Sequence, residues 1–209
     1  MSRTLRATDN RLKHPSAATG SLLLASRHME SVCGSLLVAG PALLDPNFAR
    51  SVVLIADHDE DGALGVILNR PLPVAVHDAA PPLAPLVDAD ASLFRGGPVQ
   101  PQAVVVLAEF ERVEDAGVLA FDSIGFLLGD VDPDVAGRLR RARVFAGYAG
   151  WGPGQLDAEL EEDGGWIVEP ALPADPFTGE PDQLWSAVLR RKGGHYAILA
   201  MMPLDPSLN

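Results

Sequence analysis

Ser51-Val52-Val53-Leu54-Ile55-Ala56-Asp57-His58-Asp59-Glu60-Asp61-Gly62-Ala63-Leu64-Gly65-Val66-Ile67-Leu68 reads as two apolar runs separated by one acidic turn. Each run is short and rich in branched side chains, as a buried strand requires. The turn Asp57–Gly62 joins them, so the pair reads as a hairpin. Asn69-Arg70-Pro71 ends the second run, because proline cannot donate to a ladder. Upstream, Gly34-Ser35-Leu36-Leu37-Val38-Ala39 reads as a further strand, punctuated by Gly40-Pro41.

Downstream, 103–108 is a strong strand pattern, and 118–121 and 124–128 are weaker ones. Prolines at 73, 81, 82 and 85 keep any helix in 72–90 short or broken. Asp132-Pro133-Asp134 is a capped helix start, and the helix is expected to run to about Arg141. Residues 143–146 then read as a strand leading into a glycine-rich loop, 147–155. Helices are expected over 153–162 and 181–191, with strands over 166–168 and 196–200. Strand pairs come early and helices mostly later, which favours α+β over a doubly wound parallel sheet.

The 209 residues fit one domain, or one domain with a tail. The 28 acidic and 16 basic residues give a net charge of -12, which disfavours non-specific binding to nucleic acid or anionic lipid. Residues 1–30 run against this balance: five basic side chains face two acidic ones, a net +3 that leaves -15 for the rest. They read as a mildly basic extension ahead of a body spanning 31–209. The apolar run Leu22–Ala25 is too short for an export signal, and no window approaches the ~20 apolar residues that span a bilayer. No membrane partner is expected. Cys33 is the only cysteine, so no intrachain disulfide forms, in keeping with a reducing compartment. Its apolar flanks suggest a buried small residue rather than a reactive thiol.

Gly147-Tyr148-Ala149-Gly150-Trp151-Gly152-Pro153-Gly154-Gln155 is the densest glycine and aromatic segment. Its spacing matches neither a phosphate-binding P-loop nor a dinucleotide fingerprint. A tight strand-to-helix connection explains it better than an anion cradle, and the same holds for Arg95-Gly96-Gly97-Pro98. Tyr148 and Trp151 form either a ligand platform or a cover for the loop. Asp57–Gly62 matches the first half of a calcium loop, but Leu68 stands where the bidentate Glu belongs. An acidic turn is the better reading. None of the five histidines forms an H-x-H or H-x-x-x-H pair, so neither metal nor cofactor is expected. His58, between Asp57 and Asp59, is the best titratable candidate. Arg138, Arg140, Arg141 and Arg143 make the main basic cluster, and a face of surface ion pairs explains it better than a nucleic-acid site.

Several of these blocks together resemble the YqgE/AlgH family of bacterial proteins. They are Gly34–Ala39, Asp45-x-x-Phe48-x-x-Ser51-Val52, His58 with Gly62-Ala63-x-Gly65 through Pro71, Gly96–Val99, Gly147–Trp151 with Gly154-Gln155-Leu156-x-x-Glu159-Leu160, and Trp166. The similarity runs from about Cys33 to the C-terminus. The extended N-terminus and the proline-rich 72–90 stretch depart from the pattern and inherit no role. The resemblance implies one α+β domain whose mixed, mainly antiparallel sheet is bifurcated and folds into a pseudo-barrel with flanking helices. It also implies a cytoplasmic bacterial protein. Some members are labelled transcriptional regulators, and the family supplies no established catalytic mechanism.

Three functions follow as expectations. The first is a non-enzymatic binding or regulatory domain that takes a protein or a small molecule through the turns at 57–62, 69–71, 95–98 and 147–155. Its site residues are Asp45, His58, Asn69, Arg95, Gly97, Tyr148, Trp151 and Gln155. The second is a small-molecule enzyme whose site is built from His58, Asp45, Asn69, Arg95 and Gln155. The third is a regulator that binds DNA through Arg138–Arg143 and the N-terminal arm.

Overall fold

Alternation along three consecutive strands decides how the sheet is used. In β1 (Ser35–Ala39) and β2 (Val52–Asp59), Leu36, Val38, Val52 and Leu54 enter one core, while Leu37, Ala39, Val53 and Ile55 enter another on the opposite face. Both faces are therefore covered, which is why these strands read as continuous apolar runs. β3 (Gly62–Ile67) pairs antiparallel with β2, so the turn is shorter than the expected Asp57–Gly62 and comprises only Glu60 and Asp61. The computed structural model of the chain describes residues 31–129 and 131–202, so the N-terminal extension expected over 1–30 lies outside the described residues.

The chain continues through β4 (Pro71–Ala75), a four-residue helix α1 (Val76–Ala79), a 3-10 turn at Pro81–Leu86 and β5 (Ser92–Arg95). The prolines limit helix here as expected. β6 (Val99–Phe110), β7 (Val118–Phe121), β8 (Ile124–Leu127), helix α2 (Pro133–Ala136) and β9 (Leu139–Trp151) follow. Helix α3 (Gln155–Glu161), β10 (Trp166–Pro170), α4 (Pro181–Lys192) and α5 (His195–Leu199) complete the order.

Among the described residues the sheet has ten strands, in the order β10-β1-β2-β3-β9-β6-β8-β7 with β4 and β5 branching off. The branch point is β9. Its end at Ala149–Trp151 pairs with β3, its middle and start pair with β6, and Phe145–Ala146 pair in parallel with β5. All other pairings are antiparallel. The sheet curls until β7 lies against β2, but these two are not hydrogen-bonded neighbours in the ladder, so the barrel is open. Helix α4 covers the inner core with Leu184, Trp185, Val188 and Leu189, while α3 covers the opposite face of β1–β3 through Leu156. The fold is thus a single α+β domain with a large open sheet.

Three expected elements are corrected. The helix from Asp132 stops at Ala136 and is followed by Gly137, and residues 139–143 belong to β9. Asp132 does cap it, accepting from the Asp134 N–H at 2.8 Å. Cross-strand pairing of Glu109 with Arg141 holds the following arginines extended. Residues 147–151 are strand rather than loop, so only 152–154 connect β9 to α3. Residues 195–199 are helix rather than strand, because Gly193 (φ 79°) and Gly194 (φ 56°) turn the chain back onto α4 and away from any sheet edge. Cys33 is also exposed rather than buried, its Sγ donating to the Ala56 carbonyl at 3.0 Å.

Candidate functional site

The expected site residues divide between the two ends of β3, about 17 Å apart at strand spacing. Trp151 pairs with Ala63 at the first end. At the second, the Ile67 N–H donates to the Gly96 carbonyl at 2.8 Å.

At the first end His58, Ala63 and Trp151 lie in one row across β2, β3 and β9, beneath α3. His58 is buried, and its Nδ1 accepts from the Val32 N–H at 3.2 Å. That bond places the ring proton on Nε2, which faces Asp157 Oδ1 at 3.4 Å. Asp157 Oδ1 is itself buried and has no hydrogen-bond partner among the described residues, so the imidazole contact is the polar approach it has. The Ser31 hydroxyl donates to the His58 carbonyl at 2.9 Å, so the histidine ties residues 31–32 to the sheet. Gln155 Oε1 accepts from the Gly152 N–H at 3.1 Å, and its Nε2 donates to Glu159 Oε1 at 2.9 Å. Glu159 Oε2 takes both tryptophan N–H groups, from Trp151 and Trp166. Phe48 completes an aromatic cluster, stacked on Trp151 at 6.0 Å and edge-on to Trp166 at 5.5 Å between ring centroids. Asp45 starts the turn that delivers Phe48, its Oδ1 accepting from the Asn47 N–H at 2.8 Å.

At the second end Asn69 is 4 % exposed and makes two backbone bonds. Its Oδ1 accepts from the Val52 N–H and its Nδ2 donates to the Arg50 carbonyl, each at 2.9 Å. Gly97 lies flat against Tyr148 and Gly147 against Gly97 and Val99, where added Cβ atoms would stand 2.2 and 2.8 Å from backbone atoms. Arg95 is exposed and half-buried Arg70 is nearby; burial first, and then the Arg95 charge, lower the Arg70 pKa. The structure therefore brings Trp151 and Gln155 together through Glu159, and Asn69, Arg95, Gly97 and Tyr148 together through backbone packing. It does not bring Asp45, Asn69, Arg95 or Gln155 onto the His58 ring.

A further concavity lies elsewhere, along β9 between the 85–92 segment and the turn at 177–181. It is an open groove of about 680 Å³. Its lining is mixed: Phe94, Phe177, Pro85 and Pro181 share it with Asp88 and Asp90, and Arg140, Arg141 and Arg143 contribute from β9. Arg140 and Arg141 are both paired with Glu109. Arg138 is bonded to Asp115, whose hydrogen bond raises the guanidinium pKa. Arg143 differs. Its guanidinium lies 4.2 Å above the Phe94 ring, and Nη2 donates to the Thr178 carbonyl at 2.7 Å. Nη1 is buried and has no partner among the described residues. Burial brings the Arg143 pKa down to about 10. Sequence reading saw this arginine only as one of a surface cluster, and the alternation Arg141-Ala142-Arg143-Val144 holds no sign of which one turns inward. Asp157 and Glu159 are not among the expected site residues, because the sequence does not show which acidic side chains of the 153–162 helix face the sheet.

Among the described residues no group of three or more His, Cys, Asp or Glu side chains is arranged to hold a metal ion. Among them, too, no helix is long and apolar enough to cross a membrane.

The molecule is thus an α+β domain with a branched open sheet, carrying a histidine–aspartate contact beneath one helix and an arginine groove along its longest strand. The chain belongs to the AlgH-like family (DUF179), whose profile matches residues 36–197. It is 45% identical over 188 residues to a UPF0301 protein of Streptomyces avermitilis, covering 87% of this chain and 97% of the relative. A UPF0301 protein of Thermobifida fusca is 46% identical over 200 residues, with 87% and 98% covered. Among solved structures, a crystal structure of a Corynebacterium diphtheriae protein superposes with a TM-score of 0.74 at 34% identity, covering 83% of this chain and 94% of that one. The solution structure of the AlgH protein from Pseudomonas aeruginosa gives 0.61 at 27% identity, covering 92% and 100%.

Proposed function

We propose that this chain is a non-enzymatic binding domain and that its ligand lies in the groove along β9. The observation that carries this reading is the concavity itself, with aromatic and proline walls and a desolvated guanidinium at its side. Apolar walls with a few fixed polar groups are the ordinary make-up of a ligand site. The glycine-rich segments serve as framework: Gly96–Gly97 against Gly147–Tyr148 fixes how β5 meets β9, and so sets Phe94 beside Arg143. Asp45, Asn69 and Gln155 spend their polar groups on backbone and neighbouring side chains, which leaves them poor candidates for catalysis. Direct DNA binding is disfavoured by the neutralisation of Arg138, Arg140 and Arg141 by carboxylates. A cytoplasmic place, and any regulatory role, go with this reading as part of the same proposal.

The test is native mass spectrometry of the protein after exposure to a cell extract, with turnover followed in parallel. A retained small molecule, lost when Phe94 is replaced by Ala in a variant that still folds, is the expected result. Turnover of any compound that disappears in His58→Ala or Asp157→Asn would overturn the reading.

A further inference from the structure

We infer that the groove is a receptor for a small organic carboxylate, held end-on by Nη1 and Nη2 of Arg143 with its apolar body against Phe94 and Phe177. This inference rests on the binding-domain reading and names the ligand class for the same site.

Four observations carry it. First, Arg143 is the one arginine in the 138–143 cluster for which no carboxylate partner occurs among the described residues. A guanidinium removed from water and left without a counter-charge is costly, and an incoming anion would offset that cost. Second, its two terminal nitrogens are unequally served. Nη2 has the Thr178 carbonyl and Nη1 has no hydrogen-bond partner among the described residues. A carboxylate offers two oxygens at the spacing of the guanidinium fork and satisfies both at once. Third, the face of the guanidinium is fixed by Phe94, so the fork is oriented before any ligand arrives. Fourth, the lining is mixed: Pro85, Pro181 and the half-buried Phe177 stand beside Asp88, Asp90 and the arginines of β9, which suits a ligand with one charged end and a small apolar body. Those two carboxylates oppose a polyanion such as a phosphate backbone and favour a single negative charge.

Nη1 lies below the surface, so binding proceeds by exchange. The Thr178 carbonyl holds Nη2, so a carboxylate at the fork has to replace that bond, and exchange at Thr178 reports whether it does. No bond is made or broken covalently.

The probes are benzoate, neutral benzamide of the same shape, and inorganic phosphate. They are titrated into the full chain at neutral pH by NMR, with hydrogen exchange of 175–180 as a second readout. The expected result is saturable benzoate binding with faster exchange at Thr178, no binding of benzamide, and binding at least about tenfold weaker in Arg143→Met. Arg143→Lys, which keeps the charge and loses the fork, should fall between. Absence of benzoate binding, equal binding by Arg143→Met, or preference for phosphate over benzoate would each overturn the inference. If the extract experiment yields a neutral ligand in this groove while benzoate fails, the binding-domain reading stands and only the carboxylate falls.

Discussion

Trp151 and Trp166 donate to the same atom. Their indole Nε1 groups reach Glu159 Oε2 at 3.0 and 2.9 Å, from β9 and β10 respectively. The two strands are not ladder neighbours, so this carboxylate joins distant parts of the sheet from its seat on α3. Removing it strands two N–H groups that are largely shut off from water. Glu159→Ala should therefore cost about 2–4 kcal/mol, read from the urea midpoint at unchanged m-value. Glu159→Gln keeps an acceptor oxygen and should cost less than half of that. Equal losses in the two variants would mean that packing, not the shared bond, is what Glu159 supplies.

Two glycines separate backbone strain from lack of space. At Gly97, in the connection from β5 to β6, an added Cβ would meet the Tyr148 backbone at 2.2 Å, and β9 cannot yield there without disturbing the Val99–Tyr148 pairing. Gly97→Ala should cost more than about 3 kcal/mol or abolish folding. At Gly154, φ is 67° but nothing lies within 4 Å. Gly154→Ala should cost only the left-handed penalty, about 1–2 kcal/mol, in the same thermal melt. A Gly97 variant as stable as the Gly154 variant would contradict the close strand crossing.

The hairpin of β2 and β3 was legible because both faces of those strands are buried, which leaves an uninterrupted apolar signature. Helix α4 was legible from Pro181 at its start and Gly193 at its end. Strand β9 was not. Its glycines read as a loop, yet Gly147 is there because the backbones of Gly97 and Val99 come too close for a side chain. Asp132-Pro133-Asp134 announced a helix correctly but said nothing of where it stops, and pairing with β6 claimed the arginines that follow. The site was legible only in part. His58 stands out as a titratable group, but its contact with Asp157 depends on α3 folding over the sheet. The inward turn of Arg143 depends on Phe94 and Thr178, each far away in sequence.

Cys33 combines exposure with a suppressed thiolate. Burial of the sulfur, and then the Asp57 charge, raise its pKa above 9.0. Since the thiolate is the reacting species, alkylation at pH 7.5 should run slower than that of free cysteine. Asp57→Asn removes the second cause and should speed the reaction by a small factor with no change in thermal midpoint. The sign for stability follows from the same shift. The folded thiol keeps its proton where the unfolded one loses it, so this group's contribution is present below about pH 9 and drains away as pH rises further. A reaction rate in Asp57→Asn identical to wild type would remove the aspartate from this account.

Arg143 makes the opposite demand on stability. Burial lowers its pKa to about 10, so below that pH the fold carries a poorly solvated cation. Replacing such a charge with an apolar chain of similar length is often neutral or stabilising. Arg143→Met should leave the urea-derived stability at pH 7 within about 1 kcal/mol of wild type, or above it. Above about pH 10 the folded chain releases this proton while the unfolded one still holds it, so wild-type stability gains from the group as pH rises. Any advantage of Arg143→Met should shrink across that window, since every other titrating group is common to both proteins. A loss of more than about 3 kcal/mol in Arg143→Met at pH 7 would mark the arginine as a structural pillar. Retained stability with lost benzoate binding would mark it as a residue kept for its ligand.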